Sequence, residues 1–353
     1  MVQNENVFVK NAREGKIVTI KDIAKRCGVS PSTVSKALNN YGDVSQETIN
    51  RVRQAAKELN YRPNAAARTL KTNRSYDIGI LFVDDTMCGL THQYFSSILN
   101  SAKTVFESSG YSITFISPTV GGRPASFLES ARYRNCDGVL IASIDFSSQS
   151  VVDLLRSEIP TLTIDYDYPG CSCVMSDNVE GGFALTKHLI DMGHRKIGLI
   201  HGENTLVTRK RVNGFYRAMR EAGIPVSEEY VLEGVYSGPN STADATVTLM
   251  SLPDPPTAIM YPDDFSYIGG RNALERLGLR IPEDVSAVGY DGIMLSQVLR
   301  PALTTWYQDA EEIGRASAKK LIEEIEAPDT SVPEQILVHG QLLVGRSVKN
   351  LSE

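Results

Sequence analysis

The N-terminal part of the chain carries cations at a density that suits contact with a polyanion. Residues 16–75 contain twelve Lys or Arg and four Asp or Glu, a net charge of +8, whereas the whole 353-residue chain has a formal net charge of −6. Because residues 1–15 balance at zero, residues 76–353 carry −14. This asymmetry is typical of a basic module on an acidic body, in which only the module meets nucleic acid phosphates.

One large apolar side chain, Leu70, interrupts the basic stretch between Arg68 and Lys71. Asn64 can cap a short alanine-rich helix that contains it, but so short a helix is marginal in water because nucleation is costly. A leucine between cations suits a wedge pushed between base steps in a minor groove, with the cations on phosphates. A solvated linker helix explains the same residues equally well.

The sequence lacks the residue patterns of a metal site or a known enzyme class. Its five cysteines are scattered, and the close pair Cys171 and Cys173 is separated by one residue, not by the two of a zinc site. Neither of the common glycine-rich phosphate loops is present, and there is no nucleophile elbow. We therefore expect reduced thiols, no metal, no cofactor and no catalytic residues.

Length and hydropathy favour a multidomain protein of the cytoplasm. A chain of 353 residues with 42% hydrophobic residues buries a large core and is expected to form two or three domains. No apolar run reaches the length of about 18 residues that spans a membrane, and the N-terminus lacks the apolar core of a signal peptide. We expect residues 1–16 to be a disordered tail, and the sequence assigns them no function.

The stretch from Thr19 to Asn39 predicts a helix-turn-helix. Apolar residues recur at helical spacing on both sides of a central glycine: Ile20, Ile23 and Ala24, then Val34, Ala37 and Leu38. Gly28 supplies the left-handed residue that the tight turn requires, Ser30 is a good N-cap, and Pro31 fits the first helical position. The alternative is a helical hairpin inside another α domain.

A third helix is predicted from Gln46 to Asn60 because Ile49, Val52, Ala56 and Leu59 share one face. Three short helices make a headpiece over residues 17–61, near the lower size limit for independent folding. Residues 62–75 would then be the hinge helix or linker.

From Tyr76 onward, short apolar runs alternate with amphipathic helices. The expected strands are Ile78–Val83, Ile113–Ile116, Val139–Ala142, Thr161–Ile164, Ile197–Ile200, Ala258–Met260 and Val285–Val288. The expected helices are Phe95–Ser108, Val179–Asp191, Arg209–Ala222 and Phe265–Leu277. This alternation predicts an α/β core of two doubly wound parallel-sheet lobes, with a ligand cleft between them beyond the carboxyl ends of the strands.

These segments also resemble the lactose/galactose repressor (LacI/GalR) family of bacterial transcription regulators, from about Val18 to about Val348. The likeness rests on TIKDIAKRCGVSPSTVSKALN and VSQETINRVRQAAKELNYRPNAAARTL in the headpiece, and on GHRKIGLIHG, RKRVNGF, VSAVGYD and LTTWYQDAEEIGRASAKKL in the core. The family fold is a helix-turn-helix headpiece, a hinge helix and a core like periplasmic binding proteins.

The resemblance implies that the chain crosses between the lobes three times, near Met175, Ala302 and Val332. The N-lobe would comprise about 76–175 and 303–332, and the C-lobe about 176–302 and 333–348. The core would also carry the dimer contacts, and the homodimer would bind a palindromic operator.

DNA-contacting roles carry over to the headpiece by position. Pro31, Ser32 and Lys36 occupy base-reading places, and Lys36 can donate to guanine. Phosphate or sugar contacts are implied for Thr19, Thr33, Ser35 and Asn39. Leu70 matches the leucine that the family inserts at the central operator step, which favours the wedge; Asn64, Ala67 and Arg68 would lie beside it.

Effector-binding roles carry over to the core. Arg209 matches a cleft arginine and Asp291 an acidic partner, a pair that holds sugar hydroxyls by charge-assisted hydrogen bonds. The remaining lining positions are His92, Tyr94, Asp165, Tyr236, Asp263 and Trp306. Tyr236 would be an aromatic platform, and Asp263 replaces the family's usual asparagine. Without the resemblance, Arg209 is better explained as a surface residue, and Trp306 fits the lobe junction as well as the cleft.

The resulting prediction is a DNA-binding transcriptional repressor controlled by a small effector, most simply a sugar or sugar derivative, bound between the lobes. A carbohydrate-binding transport protein is the first alternative because the core alone resembles that class. A sugar-acting enzyme is the second. Operator retention that falls steeply with salt distinguishes the regulator from both.

Overall fold

The computed structural model describes residues 18–38, 42–61, 74–83 and 89–352. The chain forms two compact units, Met1–Ser75 and Tyr76–Glu353. Five residues expected to contact DNA, Asn39, Asn64, Ala67, Arg68 and Leu70, lie outside the described residues, as do the tail and most of the expected hinge. In the described part of the chain, no helix is both long and apolar enough to cross a membrane.

The N-terminal unit contains the three predicted helices, α1 (Ile20–Cys27), α2 (Pro31–Leu38) and α3 (Gln46–Glu58). Gly28 ends α1 with φ 65°, as the tight turn requires. Ser30 Oγ accepts the backbone N–H of Thr33 at 3.1 Å, and Ser45 caps α3 in the same way at Thr48. The small core centres on Ile23, Val34 and Val52. The helix-turn-helix prediction is confirmed in both its helices and its turn.

The N-lobe of the second unit is built on a six-stranded parallel sheet in the order β13-β7-β6-β5-β1-β2. Its strands are β1 (Asp77–Phe82), β2 (Ser112–Phe115), β5 (Gly138–Ser143), β6 (Thr161–Ile164), β7 (Ser172–Ser176) and β13 (Gln335–Val338). A small hairpin pairs β3 (Thr119–Val120) with β4 (Arg123–Pro124). Helices α4 (Gln93–Ser108), α5 (Phe127–Arg134), α6 (Gln149–Leu155) and α12 (Ala310–Glu326) belong to this lobe.

The C-lobe sheet has the order β14-β12-β11-β10-β8-β9, and β14 runs antiparallel to β12 at its edge. Its strands are β8 (Ile197–His201), β9 (Val231–Glu233), β10 (Ala258–Met260), β11 (Ser286–Asp291), β12 (Thr304–Tyr307) and β14 (Gln341–Leu343). Its helices are α7 (Asn178–Asp191), α8 (Leu206–Glu221), α9 (Pro239–Met250), α10 (Tyr267–Arg276) and α11 (Met294–Val298).

Two of the three predicted crossings between the lobes are wrong by one strand each. The first crossing follows β7 after Ser176, as expected. The second follows β12 rather than Ala302, because the buried residues of β12 pair with β11 in the C-lobe. The third follows β13 rather than Val332, because β13 pairs with β7 in the N-lobe. Neither strand was among those expected from the sequence, and the sheet that each joins is set by long-range pairing.

Candidate effector pocket and nucleic-acid interface

A cavity of about 390 Å³ lies between the two lobes of the core, beyond the carboxyl ends of β1, β5 and β6 on one side and of β8 and β11 on the other. Its size falls within the range of small-molecule sites. The N-lobe contributes Val83, His92, Tyr94, Phe95, Ala142–Phe146 and Ile164–Tyr166. The C-lobe contributes Glu203, Thr205, Leu206, Val207, Arg211, Tyr236, Asp263 and Asp291.

Arg211, and not Arg209, is the arginine of this cavity. Arg211 is 8% exposed and donates to Asn178 Oδ1 at 2.8 Å and to the Pro262 carbonyl at 3.0 Å. Its guanidinium lies 3.6 Å from the ring centroid of Tyr290, a cation–π distance. Arg209 is exposed and donates to Asn204 instead. The prediction for Arg209 is wrong because two residues along a helix are about 200° of rotation.

Glycine residues allow Arg211 to reach this position. A Cβ on Gly182 of α7 would lie 2.2 Å from the Arg211 carbonyl oxygen, and one on Gly214 of α8 would lie 2.2 Å from that of Val179. The two helices therefore approach each other closely, and the Arg211 side chain is held at the start of the cleft.

Asp291 ends β11 with φ 99°, an uncommon backbone conformation for a residue other than glycine. Its Oδ1 accepts from Gln308 Nε2 at 2.7 Å and lies 3.9 Å from Arg211 Nη2. Burial raises the Asp291 pKa to about 7, although Arg211 lowers it, and the negative charge of Asp263 adds to the rise. The structure thus places Asp291 in the cavity, as predicted, with a carboxyl group that titrates near neutrality.

Asp165 and Tyr94 form a second polar pair on the N-lobe wall. Tyr94 Oη donates to Asp165 Oδ2 at 3.2 Å, and the Ser176 N–H donates to Asp165 Oδ1 at 3.1 Å. Burial raises the pKa of both groups, although hydrogen bonds and the charge of Arg211 oppose the rise at Asp165. His92 lines the same wall. The structure brings all three predicted N-lobe residues together.

The two predicted residues Asp263 and Tyr236 also line the cavity, but both are engaged by the protein. Asp263 accepts hydrogen bonds from the backbone N–H groups of Ser237 and Ser266 and from the Ser266 hydroxyl, at 2.7–2.8 Å. Tyr236 Oη is 2.8 Å from Thr208 Oγ1. Asp263 therefore fixes the loop that carries Tyr236 and leaves the Tyr236 ring as the surface offered to a ligand.

Trp306, like Arg209, was predicted to line the cavity but does not. It is 5% exposed and packs in the core of the C-lobe, where Gly181 and Gly340 lie against its indole ring. Of the two positions that its sequence context allowed, it takes the one beside the lobe crossing.

Sequence reasoning also missed an aromatic pair in the cavity wall. Phe146 and Tyr166 stack with ring centroids 3.9 Å apart and planes 4° apart. Each follows the end of a predicted N-lobe strand, and that position was the available signal. Arg211 and Glu203 were missed as well, although Arg211 belongs to the RKR motif that carries the resemblance.

The second candidate site is the exposed side of α2 in the headpiece. Pro31 and Ser32 are exposed at its start, and Thr33 and Ser35 are half-buried. Val34 and Ala37, which face α1 and α3, are fully buried. At Thr19, the backbone N–H donates to Asp22 Oδ2 at 2.8 Å, which fixes the start of α1.

Lys36 forms an ion pair with Asp43, in the segment that leads to α3. The Lys36 hydrogen bond is the main reason that the pKa of Asp43 is lowered. Both side chains are about half exposed, so solvent screens the pair. The Lys36 ammonium group, which is expected to contact a base, is thus bound to the Asp43 carboxylate in this structure.

A helical headpiece with an exposed helix and a two-lobed core with a polar cleft define the class of ligand-controlled DNA-binding regulators. Residues 19–64 match the family model described as bacterial regulatory proteins of the lacI family, and residues 186–348 match a periplasmic binding protein-like domain.

Several known proteins are similar over nearly the whole chain. The HTH-type transcriptional repressor PurR of Haemophilus influenzae (strain PittEE) is 35% identical over 343 residues, which are 95% of this chain and 100% of that protein. The PurR repressor of Aliivibrio salmonicida is 32% identical over 342 residues, 95% of this chain and 100% of that protein.

Solved structures show the same fold. A lac repressor dimer bound to operator and the anti-inducer ONPF superposes with a TM-score of 0.79 at 25% identity, covering 94% of this chain and 99% of that one. A complex of the transcriptional regulator CelR with cellobiose gives a TM-score of 0.68 at 26% identity, with the same coverage.

The chain belongs to the lacI family of bacterial regulatory proteins. It is a DNA-binding transcriptional repressor, and its relatives are repressors rather than enzymes.

Proposed function

We propose that operator binding by this repressor is controlled by a neutral polyhydroxylated molecule, a sugar or sugar derivative, in the cavity between the lobes. The supporting observation is that Arg211 and Asp291 of the C-lobe and Asp165 of the N-lobe line the same cavity. Asn178 and the Pro262 carbonyl hold Arg211 Nε and Nη1, and Nη2 faces Asp291 Oδ1 at 3.9 Å. A cationic N–H group beside carboxylate acceptors binds ligand hydroxyl groups by charge-assisted hydrogen bonds. Five acidic residues and one arginine line the cavity, which disfavours anionic effectors such as sugar phosphates.

A flat heterocyclic effector such as a purine base is the second candidate. The stacked Phe146–Tyr166 pair offers a planar aromatic surface in the same cavity, and rings stack on such surfaces. The relatives named PurR, 32–35% identical to this chain, are a further reason to test this class.

The proposal is tested by replacing the two arginines of α8 separately. Arg211→Lys removes the planar guanidinium group, with its fixed contacts to Asn178 and Pro262, but keeps the positive charge. The effector is first identified by thermal-shift screening of sugars and nucleobases. We expect its affinity for Arg211→Lys, measured by calorimetry, to be at least about tenfold lower than for wild type. Arg209→Lys is the matched control, and its affinity is expected to be unchanged. Equal effects of the two substitutions would contradict the assignment.

For DNA binding, we propose that the Lys36–Asp43 ion pair breaks when the operator binds, and that the Lys36 ammonium group then donates a hydrogen bond to a base edge. Pro31 and Ser32 lie on the same exposed side, with Thr19, Thr33, Ser35 and Asn39 toward the phosphates. The protein would act in the cytoplasm as a homodimer on a palindromic operator, with Leu70 as the minor-groove wedge and Asn64, Ala67 and Arg68 beside it. The solved lac repressor dimer on its operator is the model for this arrangement.

If Lys36 leaves Asp43 to contact the operator, substitutions of these two residues should change operator affinity in opposite directions. Asp43→Asn removes a competitor for Lys36 and a charge repelled by phosphates, so operator affinity is expected to rise severalfold. Lys36→Ala is expected to weaken binding and to relax specificity at one base pair of each half-site. Fluorescence anisotropy with operator variants at fixed salt measures both. Weaker binding by Asp43→Asn would refute the exchange.

A further inference from the structure

A second cavity of about 220 Å³ adjoins the effector cavity. The two cavities share four lining residues, His92, Tyr94, Asp263 and Asp291. The second cavity is otherwise lined by Thr91 and Gln93 of the N-lobe and by Ser237, Phe265, Ile293 and Leu295 of the C-lobe. We name it the outer compartment, and the first cavity the inner compartment.

The residues between the compartments are held in place by the protein. Tyr94 is hydrogen-bonded to Asp165, and Asp291 to Gln308. Asp263 accepts three hydrogen bonds from Ser237 and Ser266. A ligand that occupies both compartments must therefore pass these fixed groups, and its polar groups there would meet carboxylate oxygens.

The outer compartment differs from the inner one in character. Its C-lobe wall is apolar at Phe265, Ile293 and Leu295, and Phe265 is 42% exposed although it is a large aromatic residue. Its N-lobe wall presents the polar side chains of Thr91 and Gln93. An apolar face opposite a polar one suits a sugar ring, which has C–H groups on its faces and hydroxyls around its edge.

We propose that the effector of this repressor has two linked sugar rings, one in each compartment. This inference rests on the proposed sugar effector. The inner ring is held by Arg211, Asp165 and Asp291. The glycosidic link passes between Tyr94 and Asp263, and the outer ring packs against Phe265 and Leu295. The outer compartment thereby makes the repressor select disaccharides over their component monosaccharides.

The test uses the full-length protein and a variant that fills only the outer compartment. Leu295→Trp places a larger side chain in it, whereas Met294→Trp makes the same kind of change at a neighbouring position of α11 that is 70% exposed and lines neither compartment. Thr91→Phe fills the outer compartment from the N-lobe wall and serves if Leu295→Trp does not fold. The probes are glucose, galactose, cellobiose, lactose and maltose, with binding measured by calorimetry.

We expect one of the disaccharides to bind at least about tenfold more tightly than either of its component sugars. Leu295→Trp is expected to reduce its affinity to the level of the monosaccharides, whose own affinities stay within about twofold of wild type. Met294→Trp is expected to behave as wild type throughout.

The outcomes separate this proposal from the one on which it rests. Monosaccharides that bind as tightly as the disaccharides would overturn the two-ring effector and leave the inner pocket intact. A loss of monosaccharide binding in Leu295→Trp equal to the loss of disaccharide binding would also overturn it. Absence of binding by every sugar would remove both proposals, and a purine base that binds in their place would support the second effector candidate.

Discussion

Asp291 combines burial, a positive φ and a place in the ligand cavity. Its carboxyl group faces Arg211, which favours the charged form, and the carboxylates of Asp263 and Asp165, which oppose it. Burial is the largest of these effects, and the resulting pKa is about 7. Since the unfolded chain releases this proton near pH 3.8, this group stabilises the fold fully at low pH, and its contribution is lost as the pH rises to about 7.

Effector binding is expected to have the opposite pH dependence. A ligand hydroxyl that donates to Asp291 requires the carboxylate, so protonation competes with binding below about pH 7. The affinity should fall by up to about tenfold for each pH unit below that value. Calorimetry from about pH 5.5 to about pH 8 checks this prediction, because that range spans the pKa by about one unit or more on each side. Asp291→Asn should remove the slope, and Asp165→Asn is the companion variant because the pKa of Asp165 is also raised. A slope unchanged in Asp291→Asn would contradict the assignment.

Among the individual residues, Asp165 and Asp291 of the cleft were easier to predict from the sequence than its arginine. Asp165 and Asp291 each end an apolar strand, so their place follows from the rule that ligands lie beyond the carboxyl ends of strands. Arg209 and Arg211 lie within one helical turn, and which of them faces the cleft depends on how α8 rotates against α7. The glycine contacts between the two helices set that rotation. The sequence pattern alone does not show which residues of α7 and α8 make these contacts.

Among the elements, the long amphipathic helices were predictable from their period and most of the buried central strands from their short apolar runs. The predicted helices agree with α4, α7, α8 and α10 to within a few residues. Five strands of the two large sheets were not predicted: β7, β9, β12, β13 and β14. Three of them, β9, β13 and β14, lie at sheet edges and are only partly buried, so they lack the continuous apolar run of a central parallel strand. The other two, β7 and β12, lie inside their sheets, but serine, cysteine and threonine interrupt their apolar residues.

The α7–α8 contact gives a prediction about how elements position a site. Gly182→Ala places a Cβ against the Arg211 backbone, so the helices must separate, at a cost of about 1–3 kcal/mol. We expect a lower melting temperature together with weaker effector binding, because the Arg211 guanidinium moves with its helix. Thermal denaturation and calorimetry measure the two effects.

Gly314→Ala is the matched control for this helix contact. Its Cβ would lie 2.2 Å from the Ile98 carbonyl oxygen, between α12 and α4 of the N-lobe, and neither residue lines the cavity. We expect a comparable loss of stability with effector affinity retained in the folded protein. If both glycine variants weaken binding to the same extent, the α7–α8 contact has no special role in placing Arg211.

At the scale of the whole molecule, the charge asymmetry, the helix-turn-helix and the α/β class were all predictable from the sequence. They depend on local composition and period, and the two compact units agree with them. The positions of two lobe crossings were not predictable, because they depend on which sheet receives a short strand. That choice is made by long-range pairing, here of β12 with β11 and of β13 with β7.

The proposed control of DNA binding by the core makes a thermodynamic prediction for the whole molecule. If the effector changes operator affinity by some factor, the operator must change effector affinity by the same factor, typically about 5–150-fold in coupled systems. Anisotropy with labelled operator at saturating effector and calorimetry of the effector with operator-bound protein give the two factors. Both must be measured at one salt concentration, because phosphate contacts make operator affinity depend on salt.

Arg211→Lys separates this coupling from effects on the headpiece. Since Arg211 lies in the core cavity, the variant should bind operator without effector as wild type does, and the response should need a higher effector concentration. Arg209→Lys should keep both the response and its concentration dependence. An effector that saturates the cavity without changing operator affinity, or an Arg211→Lys variant that responds at the wild-type effector concentration, would show that the cavity does not control DNA binding, since a ligand acts on an equilibrium only through its different affinities for the two states.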